Sequence, residues 1–190
     1  MEEQKTITEE INYDISIMEK FVEKKKITKF IGIATERVLR KYLLNEGFNI
    51  SLNKVFIDEL INLNGKLIEI DLLLLKKEVN NNKSIYNPEE IEAVFEIKYN
   101  SIWVNHVIKL NELYNKIKIL NKNIKCIFVT IFDLIKYEGM ISKNNSSWEI
   151  FRFYYYKNYY DAPHIPLLED KLENKEGWYN LLTYLNKTEG

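Results

Sequence analysis

Ile91-Glu92-Ala93-Val94-Phe95-Glu96-Ile97-Lys98-Tyr99 is an apolar run that carries charge near its end. Successive side chains of an extended strand alternate between faces, so Glu96 and Lys98 project from the same one. Upstream, after the turn signal Asn64-Gly65, comes a second apolar run, Lys66-Leu67-Ile68-Glu69-Ile70-Asp71-Leu72-Leu73-Leu74-Leu75, with Asp71 set between Ile70 and Leu72. Residues 76–90 join the two as a polar connection containing Asn80-Asn81-Asn82 and Asn87-Pro88. Burying an unpaired ionised group costs several kcal/mol, so three such groups in two core strands call for compensating partners.

The flanking segments predict helices and further strands. Val107, Ile108, Leu110, Leu113, Ile117 and Leu120 recur at helical spacing within Val104 to Lys122. Ile124 to Phe132 is a near-continuous apolar run, which suits a strand covered on both faces. A polar loop, Ser142 to Ser147, then leads into an aromatic strand from Trp148 to Tyr156. The chain closes with a loop holding Pro163 and Pro166 and a short helix near Trp178 to Leu185. On the N-terminal side, Ile11, Ile15, Met18, Phe21 and Val22 predict an amphipathic helix from about Glu9 to Lys25. A second helix, N-capped by Thr28, runs to about Glu46, with Gly47 at its stop. Phe48 to Ile57 alternates weakly and is read as a strand. The order α-α-β-β-β-α-β-β-α predicts an α/β fold with a mixed central sheet flanked by helices, not an alternating βα barrel.

Asp71 and Glu96, brought together from neighbouring strands, offer the hard oxygen ligands that bind Mg²⁺. A divalent ion so held polarises a phosphate and lowers the pKa of a bound water. Lys98 on the same face can hold that water and stabilise charge developing on the phosphate. Together the three cover metal binding, nucleophile placement and charge stabilisation for phosphodiester hydrolysis. The competing structural reading is an Asp71–Lys98 ion pair, with Glu96 at an exposed strand end.

The string from Gly65 to Leu72, followed by Phe95-Glu96-Ile97-Lys98, resembles the split signature of the PD-(D/E)XK nucleases. Ile70 stands where the proline that names the motif would be. The resemblance implies a restriction-endonuclease-like αβββαβ core over about residues 29–132 of a single nuclease domain, 1–190. An N-terminal helical extension, 1–28, and an aromatic-rich C-terminal extension, 133–190, with an added strand and helix, would complete it. It further implies that Asp71, Glu96 and the Ile97 backbone carbonyl hold Mg²⁺, with Mn²⁺ as a substitute, and that Lys98 positions or activates the water. Related nucleases often carry a glutamate on the first core helix, and Glu36 fills that place as a catalytic residue and possible metal ligand. Its structural alternative is a helical salt bridge to Arg40 at i+4.

Other candidates divide between bland and functional roles. Glu69 shares a strand face with Asp71 and either borders the site or pairs with a surface lysine. Asp58 is read as the start of a turn, and His106 and His164 are assigned no catalytic role. Basic residues cluster at Lys24-Lys25-Lys26, Lys29, Arg37, Arg40 and Lys41, and again at Lys109, Lys116, Lys118 and Lys122. Either group could track a phosphate backbone or form a solvated helix face. In Phe151-Arg152-Phe153-Tyr154-Tyr155-Tyr156, alternation separates Phe151, Phe153 and Tyr155 from Arg152, Tyr154 and Tyr156. Core or dimer packing is preferred there over base stacking.

Composition narrows the class. The 190 residues are 46% hydrophobic and 29% charged, a globular balance, and only six glycines and three prolines interrupt regular structure. The formal net charge of −1 argues against a non-specific nucleic-acid coating protein, whose phosphate contacts demand a basic surface. A single cysteine, Cys126, excludes an intramolecular disulfide and a cysteine-rich zinc site, and its apolar flanks predict burial. No secretory leader is evident and no apolar run approaches the roughly 20 residues that span a bilayer. The expectation is a soluble, cytoplasmic, homodimeric endonuclease acting on DNA, of restriction or defence type, with no membrane partner. The alternatives are a structure-specific junction or repair nuclease, or a non-catalytic nucleic-acid-binding module on the same fold.

Overall fold

The computed structural model describes residues 10, 13, 24–60, 68–98, 104–133, 148–156, 171–173 and 175–187. Helix α1 spans Lys24–Asn45. Thr28 therefore lies inside a helix and does not cap its start: Lys24-Lys25-Lys26 are good helix formers, and nothing among them breaks the turn. The expected helix over 9–25 falls mostly outside the described residues, although Glu10 and Tyr13 are helical. The far end of α1 stops where the glycine predicts. Gly47 adopts φ 86°, its N–H donates to the Leu44 carbonyl at 3.0 Å, and the Phe48 N–H donates to the Leu43 carbonyl at 3.1 Å. This is a Schellman stop, which satisfies carbonyls that the helix leaves unpaired and reverses the chain toward the sheet.

The chain from Phe48 to Ile57 is less regular than alternation suggests. It touches the sheet through single bridges, Ile50 to Leu74 and Val55 to Ile70, and only Phe56–Ile57 forms a strand, β1. The apolar run before the loop contributes β2, Leu72–Leu75, all four of them buried. Each buried leucine contributes roughly 1.5–3 kcal/mol, enough to hold a short strand against the charge beside it. The polar connection is not wholly irregular, because Ile85–Tyr86 forms β3, parallel to β1, and Pro88–Glu90 forms a 3-10 turn. Tyr86 is fully buried and ties that loop to the core.

Strand β4, Ile91–Lys98, pairs antiparallel with β2 and parallel with β5, Lys125–Asp133. Helix α2, Val104–Leu120, connects β4 to β5, as a parallel pair requires. β6, Glu149–Tyr156, lies parallel to β5, and β7, Lys171–Glu173, lies antiparallel beyond it. Helix α3, Lys175–Asn186, closes the described chain. The main sheet thus has the order β2-β4-β5-β6-β7.

Two apolar layers sandwich this sheet. One face packs Leu72, Leu74, Phe95, Ile97, Val129 and Phe153 against Val38, Leu39 and Leu43 of α1 and Leu181 and Leu185 of α3. The other packs Leu73, Leu75, Val94, Cys126 and Phe128 against Leu110 and Ile117 of α2. The aromatic strand is used on its first face: Phe151 meets Tyr184, and Phe153 meets Trp178, which also abuts Tyr42. Phe151 and Phe153 of that face therefore pack against α3. Cys126 is buried as expected, and burial pushes its thiol up to about 12.

Candidate active site

The site forms where β2 and β4 part. β2 pairs Leu72 with Phe95 and Leu73 with Val94, so continuing the antiparallel register sets Asp71 opposite Glu96. Alternation along β4 puts Val94, Glu96 and Lys98 on the α2 face. Asp71 stands one residue before β2, beside the first of its buried leucines. The three charges expected from the sequence therefore converge at one end of the sheet.

Their contacts are specific. The Lys98 ammonium lies 2.5 Å from Glu96 Oε1 and 3.5 Å from Asp71 Oδ2. The side chains of Glu96 and Asp71 are 18% and 20% exposed, so Glu96 is not an exposed strand end, and the closer partner of Lys98 is Glu96, not Asp71. This geometry disagrees with a simple Asp71–Lys98 structural pair. The Ile97 N–H donates to Asp71 Oδ2 at 2.7 Å, filling the position that a β2 carbonyl would take if the ladder continued. The N–H and C=O of an extended residue point to the same edge, so the Ile97 carbonyl also opens on the Asp71 side.

Electrostatics mark the same spot. Burial, reinforced by Asp71, raises the Glu96 carboxyl above its ordinary value, although Lys98 opposes this. Desolvation pulls the Lys98 ammonium down, but Glu96 and Asp71 outweigh it and the net shift is upward. Lys98 is thereby held as a cation, suited to stabilising negative charge.

Glu36 projects from α1 at the Asp71 end of the sheet. Burial and the nearby Asp71 raise its carboxyl from 4.5 to about 7, against the opposing pull of Arg40 and Lys98. The i+4 relation does not produce a salt bridge: among the described residues Glu36 and Arg40 come no closer than electrostatic range. Glu69 pairs with the exposed Lys54 at 2.7 Å, the surface-lysine alternative, while still contributing to the raised Glu36. Asp58 begins a turn and accepts the Glu59 N–H. His106 belongs to α2 with an undescribed side chain, and His164 lies outside the described residues.

Among the described residues no three His, Cys, Asp or Glu side chains form a ready metal cage. Two carboxylates and one backbone carbonyl remain, and that set fits Mg²⁺, which keeps several waters and is commonly bound through one or two carboxylates. Glu36 would then act on the site through water.

No protein family matches the chain by sequence, and no curated protein does. Solved structures do match. NucC from P. aeruginosa ATCC27853 in its cAAA-bound form aligns with a TM-score of 0.59 at 12% identity, over 96% of this chain and 92% of that one. E. coli MS115-1 NucC bound to cAAA gives 0.57 at 13% identity, over 94% of this chain and 86% of that one. Its apo form gives 0.50 at 12% identity, over 80% and 82%. NucC is a PD-(D/E)XK-type nuclease. The chain has the restriction-endonuclease-like fold.

Within this restriction-endonuclease-like fold, some neighbours of the site had no sequence signal. Thr130 pairs in register with Lys98 and is buried beside it, which only the β4–β5 register could show. Arg40 is partly buried near Glu36, with its Nε shut off from solvent. Lys118, from the second basic cluster, is committed to the Lys122 and Ile124 carbonyls.

Proposed function

We propose that this chain is a metal-dependent DNA endonuclease of restriction or defence type, acting in the cytoplasm. The observation that carries the reading is the meeting of Asp71, Glu96 and Lys98 on one sheet face, where β2 ends and β4 continues. The likeness in fold to NucC supports it. That no described helix is long and apolar enough to cross a membrane agrees with it.

Asp71, Glu96 and the Ile97 carbonyl are the groups that would hold Mg²⁺ or Mn²⁺. Such an ion, when bound, supplies Lewis-acid polarisation of the scissile phosphate. Lys98 stabilises negative charge as the water oxygen bonds to phosphorus and one ester oxygen leaves as a hydroxyl. Glu36, poised near neutrality, orients or accepts a proton from water at the edge of the site. The core of about residues 29–132 carries this chemistry, and the segments on either side extend it. A single site cuts one strand, so cleavage of a duplex calls for a two-fold dimer, which light scattering would register.

The test is digestion of supercoiled plasmid, linear duplex and branched DNA in Mg²⁺ or Mn²⁺. Each arm is run with and without cAAA, since both bound neighbours hold it. Cleavage is expected, and Lys98→Ala should lower it at least about a hundredfold while metal binding persists. Products confined to branched DNA would indicate junction processing. Absence of cleavage in every arm, or a Lys98→Ala variant that cuts like the parent, would overturn the proposal.

A further inference from the structure

Lys54 stands beside the site and faces solvent. Val55 and Ile70 form an antiparallel bridge, with the Ile70 N–H donating to the Val55 carbonyl at 3.0 Å. Across such a bridge the residue before one partner neighbours the residue after the other, so the backbone of Lys54 runs beside that of Asp71. Glu69, on the other side of Ile70, holds the Lys54 ammonium through both oxygens, at 2.7 Å from Oε1 and 3.0 Å from Oε2. The same Glu69 contributes to the raised carboxyl of Glu36, and Glu36 adds a smaller pull on Lys54. Lys54 thus joins the edge of the charge cluster built on Glu36, Asp71 and Lys98.

The cations there differ in what they can offer a ligand. Lys98 is held against Glu96 and Asp71, and the Nε of Arg40 is shut off from solvent. The Lys54 side chain is 78% exposed and that of Glu69 49%, so an incoming anion reaches their contact directly. An exposed ion pair adds little to folding, since water screens it and both side chains lose freedom. Its partner is therefore exchanged at small cost, because a phosphodiester oxygen offers an ammonium the same charge and acceptor type as a carboxylate. The carboxyl groups of Glu36, Glu69, Asp71 and Glu96 make this region acidic, so a polyanion needs a solvent-facing cation at its margin.

Resting on the nuclease reading above, we infer that Lys54 is a substrate-binding residue, parked on Glu69 in the free protein, that passes to a DNA backbone phosphate beside the catalytic centre. Glu69 sets the strength of that contact by competing for the ammonium. Because the contact is to the backbone, it sets where the duplex lies without choosing its sequence. It also gives a chain of net charge −1 a local cation for a polyanionic substrate.

Fluorescence anisotropy on a labelled duplex reads this contact directly, with full-length protein in Ca²⁺ and the duplex checked on a gel for integrity. Ca²⁺ satisfies carboxylate sites at longer distances than Mg²⁺. Lys54→Gln should weaken binding about three- to tenfold and lower the slope of log affinity against log salt by about one. Glu69→Gln should tighten binding roughly two- to threefold. That gain should shrink in the double variant, where no ammonium is left to release. Lys122→Gln removes an exposed charge just ahead of β5, at the opposite end of the sheet, and should change affinity much less. Melting temperatures of Lys54→Gln and Glu69→Gln should stay within about two degrees of the parent. Unchanged affinity and slope in Lys54→Gln, an equal loss in Lys122→Gln, or strictly additive effects in the double variant would overturn the inference. So would a parent that binds no duplex, or melting several degrees lower in both single variants, which would make the pair structural. Cleavage in Mg²⁺ is scored separately: a protein that binds duplex through Lys54 but never cuts would refute the nuclease reading and leave this contact standing.

Discussion

Replacing Glu36 by Gln should make the metal-free protein more stable above neutrality while impairing its chemistry. The carboxyl is raised from 4.5 to about 7, first by burial and then by Asp71, so ionising it is harder in the folded protein than in the unfolded chain. Below about pH 4.5 the group is neutral in both states and the parent has its full stability. As pH rises toward 7 the unfolded chain releases the proton first, and that stability drains away. At 1.36 kcal/mol per pH unit the full shift would be worth about 3 kcal/mol at pH 8, and solvent screening of this partly exposed carboxyl cuts the loss to about 1–2 kcal/mol. Glutamine never ionises, so Glu36→Gln should escape the loss. For a chain of this length the gain corresponds to a melting temperature roughly 2–8 °C above the parent. The assay is differential scanning fluorimetry in EDTA at pH 4, 6 and 8. The two proteins should coincide at pH 4 and diverge progressively to pH 8. A constant difference, or a variant that melts below the parent at pH 8, would refute the electrostatic reasoning.

Three further substitutions probe the site and the scaffold separately. Asp71→Asn and Glu96→Gln should each weaken Mn²⁺ binding in isothermal titration, because an amide keeps one oxygen but loses the charge that attracts a hard cation; equal heats in all three proteins would exclude these ligands. Gly47→Ala should cost about 1–2 kcal/mol in denaturant unfolding without affecting metal binding. No atom lies within 4 Å of the added methyl, so the penalty comes from the φ of 86° alone.

The sequence is most informative where the core is thickest. The runs that became β4 and β5 are continuously apolar because helices cover both faces, and their charged interruptions stand out against that background. Glu96 and Lys98 stood out for that reason, and Asp71 because it abuts the four leucines of β2. β1, β3 and β7 have two or three residues each, too few for alternation to show, and β3 sits in a polar loop held by the one buried ring of Tyr86. The start of α1 was misplaced because a threonine that fits a cap also fits a helix interior when lysines precede it. The competing Asp71–Lys98 pair left out Glu96, two residues back on the same face, which is the nearer partner of Lys98. From the sequence Arg40 reads as a member of a basic cluster and as the i+4 partner of Glu36; whether that pair closes depends on side-chain placement, which spacing alone does not fix.

The bond from the Ile97 amide to Asp71 Oδ2 turns one backbone proton into a reporter. Elsewhere in β4 the amides facing β2 are held by a carbonyl, and their hydrogen exchange tracks opening of the strand pair. At Ile97 the acceptor is a side chain that can swing away while the strands stay paired. Its exchange should therefore follow the fate of a single carboxylate rather than the stability of the sheet. In a nitrogen-15 spectrum this resonance would move when a cation competes for Oδ2, while the amide of Phe95, two residues away, stays in place. Occupancy of the centre could then be followed in solution without substrate, turnover or any added label near the site.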